Sequence, residues 1–186
     1  PKNIIEQNMV LFDFKEFNQF DTFKGKGCYK QYNRTEYVLK IYDKGLQFGL
    51  DKNVMRIELK ITDSKFLKRL GIKKLKDLYS KSNFYQLFNN LLGIFDKTII
   101  IDLFTVREIN EKDMLFVKNG KNPSYWRELV LLNSRTNVFC QKKNYNELIK
   151  RIGFDSIKND LKEAMLWKYN DLIRDDFYTL KQIDEQ

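Results

Sequence analysis

Residues 53–61 alternate so regularly that one secondary structure accounts for them: Met55, Ile57, Leu59 and Ile61 share one parity, while Arg56, Glu58 and Lys60 share the other. Side chains two apart lie on the same face of a strand. Period-two alternation this regular marks a half-buried strand. A second run, 36–43, carries the same pattern, with Leu39 and Ile41 facing the core and Lys40, Tyr42 and Lys44 beside the polar parity of its neighbour. Residues 44–52 join the two runs, which reads as an antiparallel pair with a longer loop. The polar face of this hairpin gathers cations, one carboxylate and one phenol. Asp43, adjacent to Tyr42, belongs to the opposite face.

Elsewhere the periodicity changes. Residues 9–17 combine an apolar run with alternation and read as a strand, and 18–30, with Gly25 and Gly27, as a connector. After the hairpin the spacing becomes helical. Thr62, Asp63 and Ser64 offer N-caps for 65–70, Gly71 is a stop, 72–79 is a second short helix, and Ser82 or Asn83 caps a longer segment over 84–95. Residues 98–104 form an Ile-rich strand buried on both faces except at Asp102. Helices are expected over 110–118, 123–132, 141–152 and 156–174, with Pro123 in a first turn and Gly153 at a helix end. Trp126 and Trp167 are both expected in the core. The fold class is α+β: a small antiparallel sheet followed by a predominantly helical C-terminal lobe. One domain over 1–186 is expected, with a mainly β part to 61, a mainly helical part over 62–174 and an acidic tail over 175–186.

Charge and missing residue types narrow the chemistry. The chain carries 34 Lys+Arg against 25 Asp+Glu and no histidine. Histidine general bases, Ser/Cys–His–Asp triads and His-ligated zinc are therefore excluded. The last twelve residues sum to −3, which leaves +12 on residues 1–174 out of the overall +9. Cys28 and Cys140 are too far apart in sequence for a metal clip or redox dithiol, and the eight glycines form no phosphate loop. With no apolar run of transmembrane length and no signal-peptide pattern after Pro1, the residue left when an initiator Met is trimmed, a cytoplasmic protein without a membrane partner is expected.

The hairpin also carries a motif. Tyr37-Val38-Leu39-Lys40-Ile41-Tyr42-Asp43-Lys44-Gly45 followed by Asn53-Val54-Met55-Arg56-Ile57-Glu58-Leu59-Lys60 resembles the "IYDK … RFE" hairpin of phage and plasmid replication initiator proteins of the rolling-circle class. The likeness extends through residues 68–78, 91–102 and Asn122-Pro123-Ser124-Tyr125-Trp126, over roughly 35–175. It implies an initiator that nicks one DNA strand through a tyrosine: Tyr42 as nucleophile, Glu58 and Asp43 as carboxylates for Mg²⁺ or Mn²⁺, and Lys40, Lys44, Arg56 and Lys60 on phosphates. Only about 35 residues precede the hairpin, where such initiators carry an origin-recognition region. The chain therefore resembles the back half of an initiator, expected to bind without cutting and without a cofactor. An ordinary cross-strand charge ladder of Lys40, Arg56 and Glu58 is the competing reading of the same residues.

Two further basic groups extend the expectation. Lys65, Lys68, Arg69, Lys73, Lys74 and Lys76 form a cationic run, readable either as a phosphate track or as a solvated helix face. Lys142, Lys143, Lys150 and Arg151, with Arg135, interleave with Tyr145, a pattern suited to single strands. The expected partner is RNA, single-stranded DNA or a host nucleoprotein. Size, charge and the resemblance make a phage or mobile-element inhibitor of a guide-RNA-bound effector, an anti-CRISPR, one such role. A protein–protein adaptor with apolar contacts around Phe84, Tyr85 and Phe88 is the other open reading.

Overall fold

In the computed structural model the hairpin lies at one side of a four-stranded antiparallel sheet. The structure describes residues 1–19, 28–102 and 109–183, the last nine of these as helix backbone only. Gly25 and Gly27 of the connector, residues 103–104 of the Ile-rich strand and the side chains of the acidic tail lie outside what is described.

A five-residue π-helical turn, Ile4–Asn8, leads into β1 (Met9–Phe12). The strand expected to run to residue 17 reverses here instead. Asp13 and Phe14 both take left-handed dihedrals, φ 51° and 60°, and Phe12 and Lys15 exchange backbone hydrogen bonds across them. Two consecutive positive φ angles are the geometry of a tight hairpin turn. Two strands follow within and beyond the supposed connector, β2 (Asn18–Gln19) and β3 (Tyr29–Asn33). Next come β4 (Tyr37–Asp43) and β5 (Met55–Ile61), paired without a slip from Tyr37↔Ile61 to Asp43↔Met55. This pairing keeps the two faces that the alternation implies.

The connection between β4 and β5 is more structured than a loop. It begins with α1 (Lys44–Phe48), where Asp43 Oδ1 accepts from Leu46 N at 2.9 Å as N-cap and Gly49, at φ 63°, ends the turn. Helix α2 (Ser64–Arg69) is capped by Asp63 and followed by a 3₁₀ turn, Leu75–Tyr79, in place of the second α-helix expected over 72–79. Helix α3 (Lys81–Phe95) precedes β6 (Thr98–Ile100), which pairs antiparallel with β1. The C-terminal lobe is α4 (Glu111–Gly120), α5 (Pro123–Leu132), α6 (Arg135–Arg151) and α7 (Ser156–Ile183). Helix α6 starts six residues before expectation because Ser134 caps it through Asn137 N. Helix α7 runs on to Ile183, into the segment read as a tail. The α+β class stands as read.

Two hydrophobic clusters meet at the β1–β6 ribbon. Met9 and Ile100 face the first, which fills the space between Leu39 and Ile41 of the sheet and Phe66, Phe95, Leu161 and Met165 of the helices. Leu11, Ile99 and Ile101 face the second, built around Trp126, Tyr145 and Leu148. Both faces of the ribbon are buried, as the Ile-rich run implies. Asp102, expected to be the exposed exception, is 7% exposed and accepts a hydrogen bond from Ser156 Oγ. Trp167 departs from expectation in the other direction at 69% exposed. Met165 packs on the first cluster and Tyr169 is buried, and a residue two positions from each falls on the far side of a helix.

Lys30 explains why the pattern of β3 is hard to read. It occupies a core-side position at 4% exposed, breaking the apolar parity of Cys28 and Tyr32. Its Nζ donates to the Met9 carbonyl at 2.5 Å. Burial pulls its pKa below the usual lysine value. Burial likewise pushes the Cys28 thiol from its ordinary 9.0 up to about 11, with Glu6 adding to the rise. Since thiolate is the reactive species, a disulfide reagent at pH 8 is expected to titrate only exposed Cys140 in the native protein and both thiols in denaturant. Between pH 9.0 and about 11 the unfolded thiol loses a proton that the folded one keeps. Cys28 therefore contributes falling stability with rising pH in that window, and Cys28→Ser removes this part of the slope in alkaline denaturant titrations.

Candidate nucleic-acid interface

Because β2, β3, β4 and β5 pair in register, their outward side chains fall into three rows across the sheet. One row is Tyr29, Tyr42 and Arg56; the next is Asn18, Gln31, Lys40 and Glu58; the third is Asn33, Val38 and Lys60. Arg56 and Lys60 are exposed, while Tyr29, Tyr42, Lys40 and Glu58 are half-buried. The opposite face is the apolar one, with Leu39 and Ile41 of β4 buried and Ile57 and Leu59 of β5 half-buried against the helices, so the polar rows form the open side of the sheet.

Contacts hold the centre of these rows. The rings of Tyr29 and Tyr42 lie 6.1 Å apart between centroids at an interplanar angle of 56°. Tyr42 Oη donates to Glu58 Oε2 at 3.3 Å, and Arg56 Nη1 donates to Tyr42 Oη at 3.4 Å. Lys40 Nζ is 3.9 Å from Glu58 Oε1, and Tyr29 Oη donates to Gln31 Oε1. Burial, with help from Glu58 and Tyr42, raises the Tyr29 pKa, so this phenol stays neutral at physiological pH. Three cations face one carboxylate around two aromatic rings. Rings of this kind stack on unpaired bases, and cations at this spacing follow phosphates.

The other candidates are distributed differently. Asp43 points to the core side at 4% exposed and spends its carboxylate on the α1 N-cap, so it does not converge with Glu58. Among the described residues no group of three or more Cys, Asp or Glu is placed to hold a metal ion. Lys44 opens α1 with its Nζ 5.6 Å from the Phe48 ring. The run from Lys65 to Lys76 does not continue the outward rows: α2 buries Phe66 against Tyr37, on the core side, at the Tyr37–Ile61 end of the hairpin. Within it Arg69 forks onto Glu36 with two bonds of 2.6 Å. Lys65, Lys68, Lys73, Lys74 and Lys76 are exposed there.

The α6 group loses its aromatic partner. Tyr145 is fully buried, with its Oη donating to the Val117 carbonyl, and cannot stack on a ligand. Lys142 lies 5.0 Å over the Phe14 ring, Lys143 pairs with Glu147 and Arg151 with Asp113; Lys143, Arg151, Lys150 and Arg135 are all exposed on this helix. Tyr29 and Gln31 are the site residues that sequence reasoning missed. The alternation of Tyr29, Gln31 and Asn33 was the available signal, masked by the lysine between them. Comparison with protein-family models, with curated proteins and with solved structures returns no match.

Proposed function

We propose that this protein binds single-stranded nucleic acid, free or displayed by a nucleoprotein, on the open face of its sheet and without catalysis. The observation that supports this reading is the juxtaposition of Tyr29 and Tyr42, from separate strands, with Lys40, Arg56 and Lys60 around them. Two stacked bases on the tyrosines, with the backbone led along the cations, is the arrangement this chemistry favours. The exposed lysines of α2 and the following 3₁₀ turn extend the positive field from one end of the hairpin and add sequence-independent attraction. A guide-RNA-bound effector of the host, in keeping with the resemblance to phage replication proteins, is the nucleoprotein target we favour.

Salt dependence tests the electrostatic half. Replacing Lys40, Arg56 and Lys60 together by glutamine is expected to reduce the slope of log K against log salt by about 2 for an oligo-dT or oligo-rU 15-mer, since each phosphate contact on a single strand contributes about 0.7. An unchanged slope in fluorescence anisotropy would place the phosphates elsewhere.

A second reading rests on one specific contact set, the Tyr42 hydroxyl between Glu58 and Arg56. A carboxylate to accept the phenolic proton and a guanidinium to hold phosphate are what a nicking tyrosine needs, with a divalent metal supplying Lewis-acid activation of the phosphate. On that reading the protein forms a covalent adduct with origin-like single-stranded DNA in Mg²⁺ or Mn²⁺, lost in Tyr42→Phe. On the binding reading Tyr42→Phe keeps its ring and its affinity, and no adduct forms.

A further inference from the structure

Strand β5 ends the sheet, and among the described residues no backbone segment other than β4 hydrogen-bonds to residues 55–61. It is seven residues long, without proline and without a bulge in its register. Natural sheets rarely leave such an edge open, because it is a template for another strand. The core side of β5 is only partly covered: Met55, Ile57, Leu59 and Ile61 are half-buried. A groove of about 870 Å³ runs between the core-side residues of β5, such as Ile57 and Leu59, and a wall that includes Phe88 of α3 and Ala164, Met165 and Leu172 of α7. The charged residues lining it are Lys44, Arg56 and Lys168, with no carboxylate among them.

We propose that this groove is the seat of an added β-strand, supplied as an extended segment by a partner protein. A strand placed 4.7–4.9 Å beyond β5 takes up the open backbone groups and drops alternate side chains into the groove. Those side chains are apolar, to match Ile57, Leu59 and the helical wall. The intervening ones lie on the outward face opposite Arg56, Glu58 and Lys60, and cross-strand complementarity makes them acid, base and acid in turn. Because that order is symmetric, it serves a parallel or an antiparallel partner equally. The groove lies under the edge on the core side of β5; Arg56, which lines it, and Lys60 are shared with the proposed nucleic-acid face, so Ala164→Trp, which lies outside that face, separates the two readings.

The test uses the full chain and two fluorescein-labelled heptapeptides, Val-Glu-Ile-Lys-Ile-Glu-Val and its charge-swapped counterpart Val-Lys-Ile-Glu-Ile-Lys-Val. Anisotropy is expected to show the first binding at least about tenfold more tightly, the effect of three cross-strand charge pairs reversed. Ala164→Trp, which fills the groove from an exposed helical position, is expected to weaken that peptide by about tenfold or more while leaving circular dichroism and oligonucleotide binding unchanged. Arg56→Glu with Lys60→Glu is expected to invert the peptide preference. Equal affinity for the two peptides, or binding indifferent to Ala164→Trp, would overturn the proposal. A concentration-dependent doubling of mass in light scattering that Ala164→Trp abolishes would seat a second copy there and overturn it too.

Discussion

Trp126→Ala is expected to destabilise the protein by about 3–5 kcal/mol, the range for removing a fully buried large aromatic. Trp126 is 2% exposed, and its Nε1 donates to the Gly120 carbonyl at 2.8 Å. Its ring meets Phe14 at 4.4 Å, Tyr125 at 5.0 Å and Tyr145 at 5.3 Å between centroids. Collapse around the vacancy is limited, because Tyr145 is wedged against Gly120 so closely that a Cβ there would lie 2.0 Å from its ring. Domains of this kind are stable by about 5–15 kcal/mol in total, so the loss removes much of the margin. Chemical denaturation checks it through the midpoint. Trp167→Ala is the control: at 69% exposed it is expected to shift stability by no more than about 0.5 kcal/mol. If the two variants destabilise equally, the assignment of Trp126 to the second cluster is wrong.

Tyr29→Ala combined with Tyr42→Ala is expected to weaken binding of a single-stranded 15-mer by at least about 30-fold, since each base stacked on an aromatic contributes about 1–3 kcal/mol. Conversion of both to phenylalanine keeps the rings and is expected to cost little. That contrast separates stacking from the hydroxyl network of Tyr42, Glu58 and Arg56. Neither tyrosine is in the core, so denaturation midpoints should move little beside the change in affinity. Wild-type affinity in the double alanine variant would remove the sheet face from consideration as the interface.

The polar face of the hairpin is legible in the sequence because alternation is a local property. Parity alone puts Lys40, Tyr42, Arg56, Glu58 and Lys60 together and puts Asp43 opposite them. Tyr29 is not legible in this way. It lies on a strand whose inward row includes a lysine, and a charged residue held inside by a backbone carbonyl and an aromatic ring breaks the apolar parity by which strands are recognised. The end of β1 is hidden for a similar reason. Nothing in Asp13-Phe14 announces a tight turn with positive φ, and the conformation is held by Arg34 on Asp13 and by Trp126 against Phe14.

Helix faces are harder to read than strand faces. The helical spacing around Trp167 fits more than one stripe, and the stripe chosen by the first cluster, through Leu161 and Met165, turns the tryptophan outward. The interleaving of Tyr145 with lysines and arginines has the pattern of a stacking surface. In the fold the ring points inward and most of the neighbouring cations find carboxylates or a ring.

What the residues determined alone is the α+β class, the two faces of the β4–β5 hairpin and the sign of the charge on the open one. These follow from period-two alternation and from counting charges, which need no knowledge of distant contacts. The tertiary structure decided which aromatic joins Tyr42, which cations are already paired, and that the helices leave the core side of β5 only half covered. Those outcomes depend on residues far apart in sequence competing for the same buried space, and no local pattern records who wins that competition.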